Sequence, residues 1–263
     1  MIKKMIDGHA FWEEVAKRLS NGEKTNFFFS EKDVHHLVQG GKVSRLDFEG
    51  GVYFFIEEDT LYRLYYFLEK EKCPEVLPEL PQPIILEEVV LASKKRVPSE
   101  ENWIRVGLKP YLERQRMYLM AKNIVVEERQ LTFASEEMSG EIFRMMNESF
   151  EPLTSLLPMK EELLRDIQAQ KIIVAIRHDE LLGFLHFGDE KQGCMLWHIA
   201  VSPKARGIGV GEGLLKDWFF AKKDSTKKFL LWVRMDNPAA LRMYEKNGFL
   251  PDGRVAPVMI KTT

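Results

Sequence analysis

Leu196-Trp197-His198-Ile199-Ala200-Val201-Ser202-Pro203-Lys204-Ala205-Arg206-Gly207-Ile208-Gly209-Val210-Gly211-Glu212-Gly213-Leu214-Leu215 carries the strongest structural signal in the chain. An apolar run with strand character ends at Val201. A short turn with Pro203 follows, and Arg206 and a run of spaced glycines lead into an amphipathic helix. Glycines between a strand and a helix let backbone N–H groups converge on an anion at the positive end of the helix dipole. A side chain at Gly209 or Gly211 is expected to block the approach of a phosphate. The segment therefore reads as a pyrophosphate cradle.

Two common cradles do not fit. A P-loop needs Gly-Lys-Ser/Thr at the helix start, and Gly211-Glu212-Gly213 offers neither the lysine nor the hydroxyl. A dinucleotide fold needs G-x-G-x-x-G opening a βαβ unit, and what precedes these glycines reads as an antiparallel meander. Ile172–Arg177 and Leu181–Gly188 are strand-like around the polar turn His178-Asp179-Glu180, and Cys194–Val201 follows the turn 188–193 as a third strand.

A second patterned block lies downstream. Phe229–Arg234 reads as a strand, and Asn237-Pro238-Ala239-Ala240-Leu241-Arg242-Met243-Tyr244-Glu245-Lys246-Asn247-Gly248-Phe249 as a helix with its stop. Asn237 suits an N-cap, Pro238 the first helical position and Gly248 the left-handed end. Asn237 and Tyr244 are seven residues apart, close to two turns, so they share a face.

Arg206-x-x-Gly209-x-Gly211 and the N-x-x-A-x-x-x-Y-x-x-x-G-F block, in this order and separation, resemble the GNAT superfamily of acetyl-CoA-dependent N-acyltransferases. The likeness covers roughly residues 126–263. It implies an α+β fold with a mixed, mostly antiparallel central sheet flanked by helices. It also implies acetyl-CoA as acyl donor, with the backbone of Arg206, Gly207, Ile208, Gly209, Val210 and Gly211 on the pyrophosphate. Ile199, Ala200 and Val201 would present backbone groups to the pantetheine arm, Asn237 would make a polar contact with the coenzyme, and Tyr244 would meet the departing thiolate. A phenol has a pKa of about 10 against about 8.5 for a thiol, so Tyr244 is protonated and ready to donate at neutral pH. The oxyanion would meet a backbone N–H on strand 194–201.

The base departs from the family pattern. Many members carry a glutamate on this strand, but Met195 and Trp197 stand at the comparable positions. His198 is the nearest titratable group, with an ordinary pKa near 6.5. Alternation puts it on the face opposite Trp197 unless a bulge intervenes. His186 shares its face if the 181–201 hairpin is symmetric, and Glu190 is a weaker candidate.

The first half reads as a second α+β domain, residues 1–125, ahead of the 126–263 domain, with the boundary near residues 121–130. Phe11–Leu19 looks helical; Asn26–Ser30, Val43–Phe48, Val52–Glu57, Tyr62–Leu68 and Ile84–Ala92 look like strands. Val106-Gly107-Leu108-Lys109-Pro110 before a Met-containing strand parallels Asn247-Gly248-Phe249-Leu250-Pro251, which suggests a weak internal repeat, a second and decayed GNAT-like unit. The decay is specific: Glu69 to Pro81 contains no glycine, three prolines and several acids, so it cannot cradle coenzyme A.

Composition bounds the remainder. The chain has 263 residues, 45% hydrophobic and 30% charged, with a net charge of −2. It is that of a globular protein and calls for no nucleic-acid partner. Apolar runs fall short of a membrane span, and the start of the chain has no signal-peptide core, so a cytoplasmic location is expected. Cys73 and Cys194 fit no metal spacing and read as reduced thiols. Asp33-His35-His36 reads as solvated, and no metal is expected. Lysines 222, 223, 227 and 228 read as a solvated helix end. The partner expected is a primary-amine substrate, small molecule or peptide. Exposed Phe27-Phe28-Phe29 or Tyr65-Tyr66-Phe67 would instead support a homodimer or docking role. The reading is direct acetyl transfer to an amine; the alternative is a non-catalytic acyl-CoA-binding or protein-interaction module.

Overall fold

The structure, a computed structural model, describes residues 2–94 and 98–262. It divides into two compact units: residues 2–114 with 253–262, and residues 115–252.

In the first unit, β1 (Lys3–Lys4), β3 (Val43–Phe48), β4 (Gly51–Glu57) and β5 (Tyr62–Leu68) lie side by side, all antiparallel. β5 then pairs in parallel with β6 (Ile84–Glu87), and β6 pairs with the end of β13 (Leu250–Lys261). Short β2 (Lys24–Thr25) joins β5, and β7 (Val90–Leu91) joins β13. Helices α1 (Gly8–Ser20) and α2 (Glu31–Gln39) cover one face. Each buries residues one turn apart, Phe11 and Val15 on α1 and Val34 and Val38 on α2, against Val52, Phe54 and Phe67. The side chain of Asp7 caps α1, and Ser30 with Asp33 forms a capping box on α2. The other face packs Tyr53, Leu64, Tyr66 and Leu86 around Trp103, whose helix α3 (Glu100–Arg105) is capped by Ser99.

The second unit has helices on both faces of its sheet. β9 (Ile172–Arg177), β10 (Glu180–Glu190) and β11 (Gly193–Val201) form the antiparallel meander read from the sequence, and β11 then pairs in parallel with β12 (Lys228–Arg234). Residues of β8 (Lys109–Met120) lie next to β12. On one face, α4 (Ser139–Ser149) and α5 (Lys160–Gln168) bury Ile142, Met146, Leu163 and Ile167 against Ile172, Val174, Phe184 and Ala200. On the other, α6 (Val210–Lys222) buries Leu214, Leu215, Trp218 and Phe219 against Cys194, Leu196, Phe229, Leu231 and Phe249. α7 (Pro238–Lys246) adds Tyr244 to that core.

Several elements differ from expectation. Residues 26–30 form no strand, because Asn26 spends its amide on neighbouring strands and Ser30 caps α2. The expected strand 84–92 is broken at Glu88 and Val89. Leu131–Ala134 contributes only the bridge Phe133↔Ile173. The units divide at Arg114/Gln115 rather than near 121–130, since Met117 and Leu119 are buried in the second core and Ala121 N–H donates to Lys227 O. Tyr65, Tyr66 and Phe67 are interior; of Phe27-Phe28-Phe29 only Phe28 is exposed.

Trp218 is fully buried, with Phe219, Phe229 and Phe249 rings around it. Trp218→Ala is expected to cost about 3–5 kcal/mol in urea unfolding; a change below about 1 kcal/mol would contradict this packing.

Candidate active site

The site is built where two parallel strands stop being partners. β11 and β12 are in register from Cys194↔Phe229 to Leu196↔Leu231 and no further, although β11 runs on to Val201 and β12 to Arg234. Beyond Leu196 the edge of β11 that faces β12 has lost its ladder. Ser202 N–H donates to Leu182 O of the β10 side at 2.8 Å. By strand alternation Ala200 also faces β10, while Ile199 and Val201 turn their N–H and C=O groups into the gap. Two of the three residues expected to meet pantetheine thus have their backbone free of β10, whereas that of Ala200 is committed to the ladder.

At the mouth of the gap stands the glycine loop. Gly207 and Gly209 have φ of +80° and +88°, and a Cβ built on either meets nothing within 4 Å. Left-handed backbone favours glycine, and the open space on that side leaves room for a ligand. Gly209 is the N-cap of α6, and the first helical amide to find an α-helical carbonyl is that of Gly213, bonded to Gly209 O at 2.9 Å. The N–H groups of Val210, Gly211 and Glu212 before it are the orphan donors of a helix start. Gly211 differs from expectation: a Cβ there would lie 3.0 Å from Met243 Sδ, so it serves the close approach of α6 and α7. Arg206 Nε is spent on Val201 O at 3.3 Å, which ties the loop back to the strand exit. The hydroxyl of Ser202, at the strand exit, is buried with no hydrogen-bond partner in the protein. An orphaned donor beside a gap with free strand amides and a bare helix N-terminus fits an amide- and phosphate-bearing ligand such as acetyl-CoA.

A β-bulge sets the other wall. His186 pairs with His198 but Phe187 pairs with Leu196, which leaves Trp197 as the extra residue. The bulge resets the parity of the strand. Cys194 and Leu196 face the α6 core, as do Ile199 and Val201 after it, while Ala200 turns to the α4–α5 face. His198 turns to that face as well, its ring 5.1 Å from that of Phe150.

His186 and His198 are both buried, with their Nδ1 atoms 3.2 Å apart. His186 Nε2 lies 3.1 Å from Asp166 Oδ2, and Lys171 Nζ holds Asp166 Oδ1 at 2.7 Å. Burial pushes His186 below the ordinary histidine range despite the opposing pull of Asp166. Burial, with His186 beside it, pushes His198 down to about 3. Both rings are therefore neutral at pH 7. By sequence Glu161, Glu162 and Asp166 read as an acidic, solvated helix start; the inward placement of Asp166 comes from the hairpin that faces α5.

Tyr244 is buried on α7 against Phe249, on the α6 face of the sheet, and burial holds its phenol well above the usual range, hence protonated. Asn237 does cap α7: its Oδ1 accepts from Ala240 N at 3.1 Å. Glu190 sits at the Gly193 end of the hairpin, away from the gap, and accepts from Trp197 Nε1 at 3.2 Å, so it is poorly placed as a base. Lys222 ends α6, about 20 Å from its glycine start, and pairs with Asp189. Cys194 is buried in the core and its thiol pushed up to about 12, unsuited to a nucleophile.

The comparisons agree with this geometry. Residues 140–249 match the family model described as the acetyltransferase (GNAT) family. Among solved structures, the chain is similar to a GCN5-related N-acetyltransferase from Sphaerobacter thermophilus, with 11% identity, TM-score 0.57, and 100% of this chain and 95% of that one covered. It is also similar to a GNAT-family acetyltransferase from Colwellia psychrerythraea, with 12% identity, TM-score 0.54, and 100% of both chains covered. A Drosophila protein is similar at 15% identity and TM-score 0.54, over 97% and 88% of the chains. No curated protein sequence matches. No helix among the described residues is long and apolar enough to cross a membrane.

A neutral buried histidine ties stability to pH. The unfolded ring titrates near 6.5 and the folded one lower, so between those values the unfolded state binds more protons and stability falls as the pH drops below about 6.5. His198→Gln is expected to flatten that loss between about pH 6.5 and 4 in urea titrations; an unchanged pH slope would contradict the neutral pair. The matched family model places a GNAT acetyltransferase domain at residues 140–249, the gap and the glycine-capped helix lie within it, and the domain supports an acyltransferase.

Proposed function

We propose that the second unit moves an acetyl group from acetyl-CoA directly to a primary amine. The observation that carries this is the gap between β11 and β12 beside a glycine-capped helix start, with His198 turned to the α4–α5 face and Tyr244 in the α6-side core. The pyrophosphate would rest on the amides of 207–212, and the pantetheine amides on Ile199 and Val201, as a strand added to a vacant edge. The thioester then lies where the sheet is open from face to face.

The amine approaches from the α4–α5 face. The amine arrives neutral; its nitrogen attacks the thioester carbon, the C–N bond forms, and His198 Nε2 takes the proton from the cationic nitrogen this creates. A gap-facing N–H of β11 takes the developing oxyanion. Collapse breaks the C–S bond, and the thiolate takes a proton from the Tyr244 hydroxyl on the other face. His198 returns its proton to solvent. At pH 7 the ring is unprotonated and the phenol protonated, the states in which a base and an acid start.

We also infer that the first unit is a second, decayed copy of this topology. It has the same two helices, the same meander and the same parallel pairing, in register only at Tyr62↔Ile84 and Arg63↔Ile85. Its gap is filled by its own chain. β2 pairs with β5, and the Asn26 amide donates to Leu64 O and Glu87 O and accepts from Tyr66 N–H, each at 3.0 Å. A cavity of about 120 Å³ is all that is left beside Asn26. This supports one donor site per chain.

Turnover is tested by thiol release from acetyl-CoA with a panel of spermidine, tyramine and peptides bearing a free N-terminus or lysine. Tyr244→Phe and His198→Gln are each expected to lower kcat about 10- to 1,000-fold on any amine that reacts, with little change in the KM for acetyl-CoA. Full kcat in both variants would remove the acid–base assignment. Tight acetyl-CoA binding without release on any amine would favour the binding-module reading.

A further inference from the structure

We propose that Asp166 and His186 are positioning residues that fix the tautomer of His198, so that its Nε2 presents a bare lone pair to the acceptor amine. This rests on the assignment of His198 as the base. The argument starts at Lys171, an ammonium that only donates. It takes Asp166 Oδ1 at 2.7 Å, leaving Oδ2 to face His186 Nε2 at 3.1 Å. An ionised carboxylate only accepts, so His186 carries its proton on Nε2. A neutral imidazole has one N–H, so His186 Nδ1 is the acceptor of the ring-to-ring bond at 3.2 Å. The donor there must be His198 Nδ1–H. His198 Nε2 is then unprotonated, and no polar group among the described residues bonds to it.

Each link is held in place by packing. His186 and His198 are directly opposite in the β10–β11 register, with rings stacked 5.5 Å apart at 20°. The bulged Trp197 lies edge-on to His186 at 4.8 Å, and Lys171 Nζ sits 5.4 Å from the Trp197 ring. Phe150 closes on His198 from the loop after α4. The titratable and charged groups on the pair are thus Asp166 from α5, Lys171 from the turn before β9, and the two rings themselves. When His198 takes a proton at Nε2, its Nδ1 proton can pass to His186 Nδ1. The cation then rests beside the Asp166 carboxylate, and no atom leaves the chain.

The chain of donors makes a sharp test, because one atom change inverts it. In Asp166→Asn, Lys171 still requires an oxygen, so the amide Nδ2 is turned toward His186. A donor there forces His186 to Nδ1–H and His198 to Nε2–H, which blocks the base with the shape of the site intact. Long-range ¹H–¹⁵N spectra of histidine-labelled protein read both tautomers with no substrate present. The expected result is His198 Nδ1–H in the wild type and Nε2–H in Asp166→Asn. With it should come a kcat loss of about 10- to 100-fold on the reactive amine, and an acetyl-CoA KM within about twofold. Adding Lys171→Met frees the amide to rotate and should restore part of both. His198 Nε2–H in the wild type overturns the proposal, even if Asp166→Asn fails to fold. An inverted tautomer with unchanged kcat overturns the positioning role. Full activity of His198→Gln would instead remove the base assignment while leaving the tautomer result to stand or fall by itself.

Discussion

The structure of the second unit turns on a ladder that ends early. Parallel pairing of β11 with β12 stops at Leu196↔Leu231, and the strand exit beyond it leads straight to the glycine loop. A sheet edge inside a domain is normally an unmet demand for hydrogen bonds. Here the amides of Ile199 and Val201 and the carbonyl of Ile199 turn away from β10, while Val201 O accepts from Arg206 Nε. The glycine-capped start of α6, with its own unpaired donors, stands at the exit of the same strand. In the first unit the corresponding demand is met internally, by β2 and by the carboxamide of Asn26.

The bulge at Trp197 is the second constraint. Without it, His198 would follow Cys194 and Leu196 into the α6 core, where a polar ring has no partner. With it, the ring turns to the α4–α5 face and meets His186, whose far nitrogen meets Asp166. His198 and Tyr244 end on opposite faces of one sheet. Packing and chemistry are thus coupled through a single inserted residue.

Much of this was legible in the residues. The meander, the glycine loop, the helix from Asn237 and its stop at Gly248 follow from periodicity and from caps with plain chemistry. Of the five strands expected in the first unit, 43–48, 52–57 and 62–68 form as read, 84–92 forms in two pieces and 26–30 forms none; the first helix also forms. Ser30 and Asp33 form the capping box that starts α2, a signal present in the residues themselves. What sequence cannot show is what depends on register. The bulge, the opposition of His186 to His198 and the inward turn of Asp166 arise from strand pairing between residues twelve to twenty apart. Gly211 taught the same lesson: its place in the motif suggested an anion, yet its missing Cβ makes room for Met243.

Donor binding by the β11–β12 gap is the central claim, and calorimetric titration of acetyl-CoA tests it most directly. The protein should bind one acetyl-CoA per chain with Kd on the order of micromolar. Gly209→Trp, which fills the open side of the cradle, should abolish the heat while circular dichroism shows the fold retained. Absence of binding by the folded wild type, or equal binding by Gly209→Trp, would contradict the account.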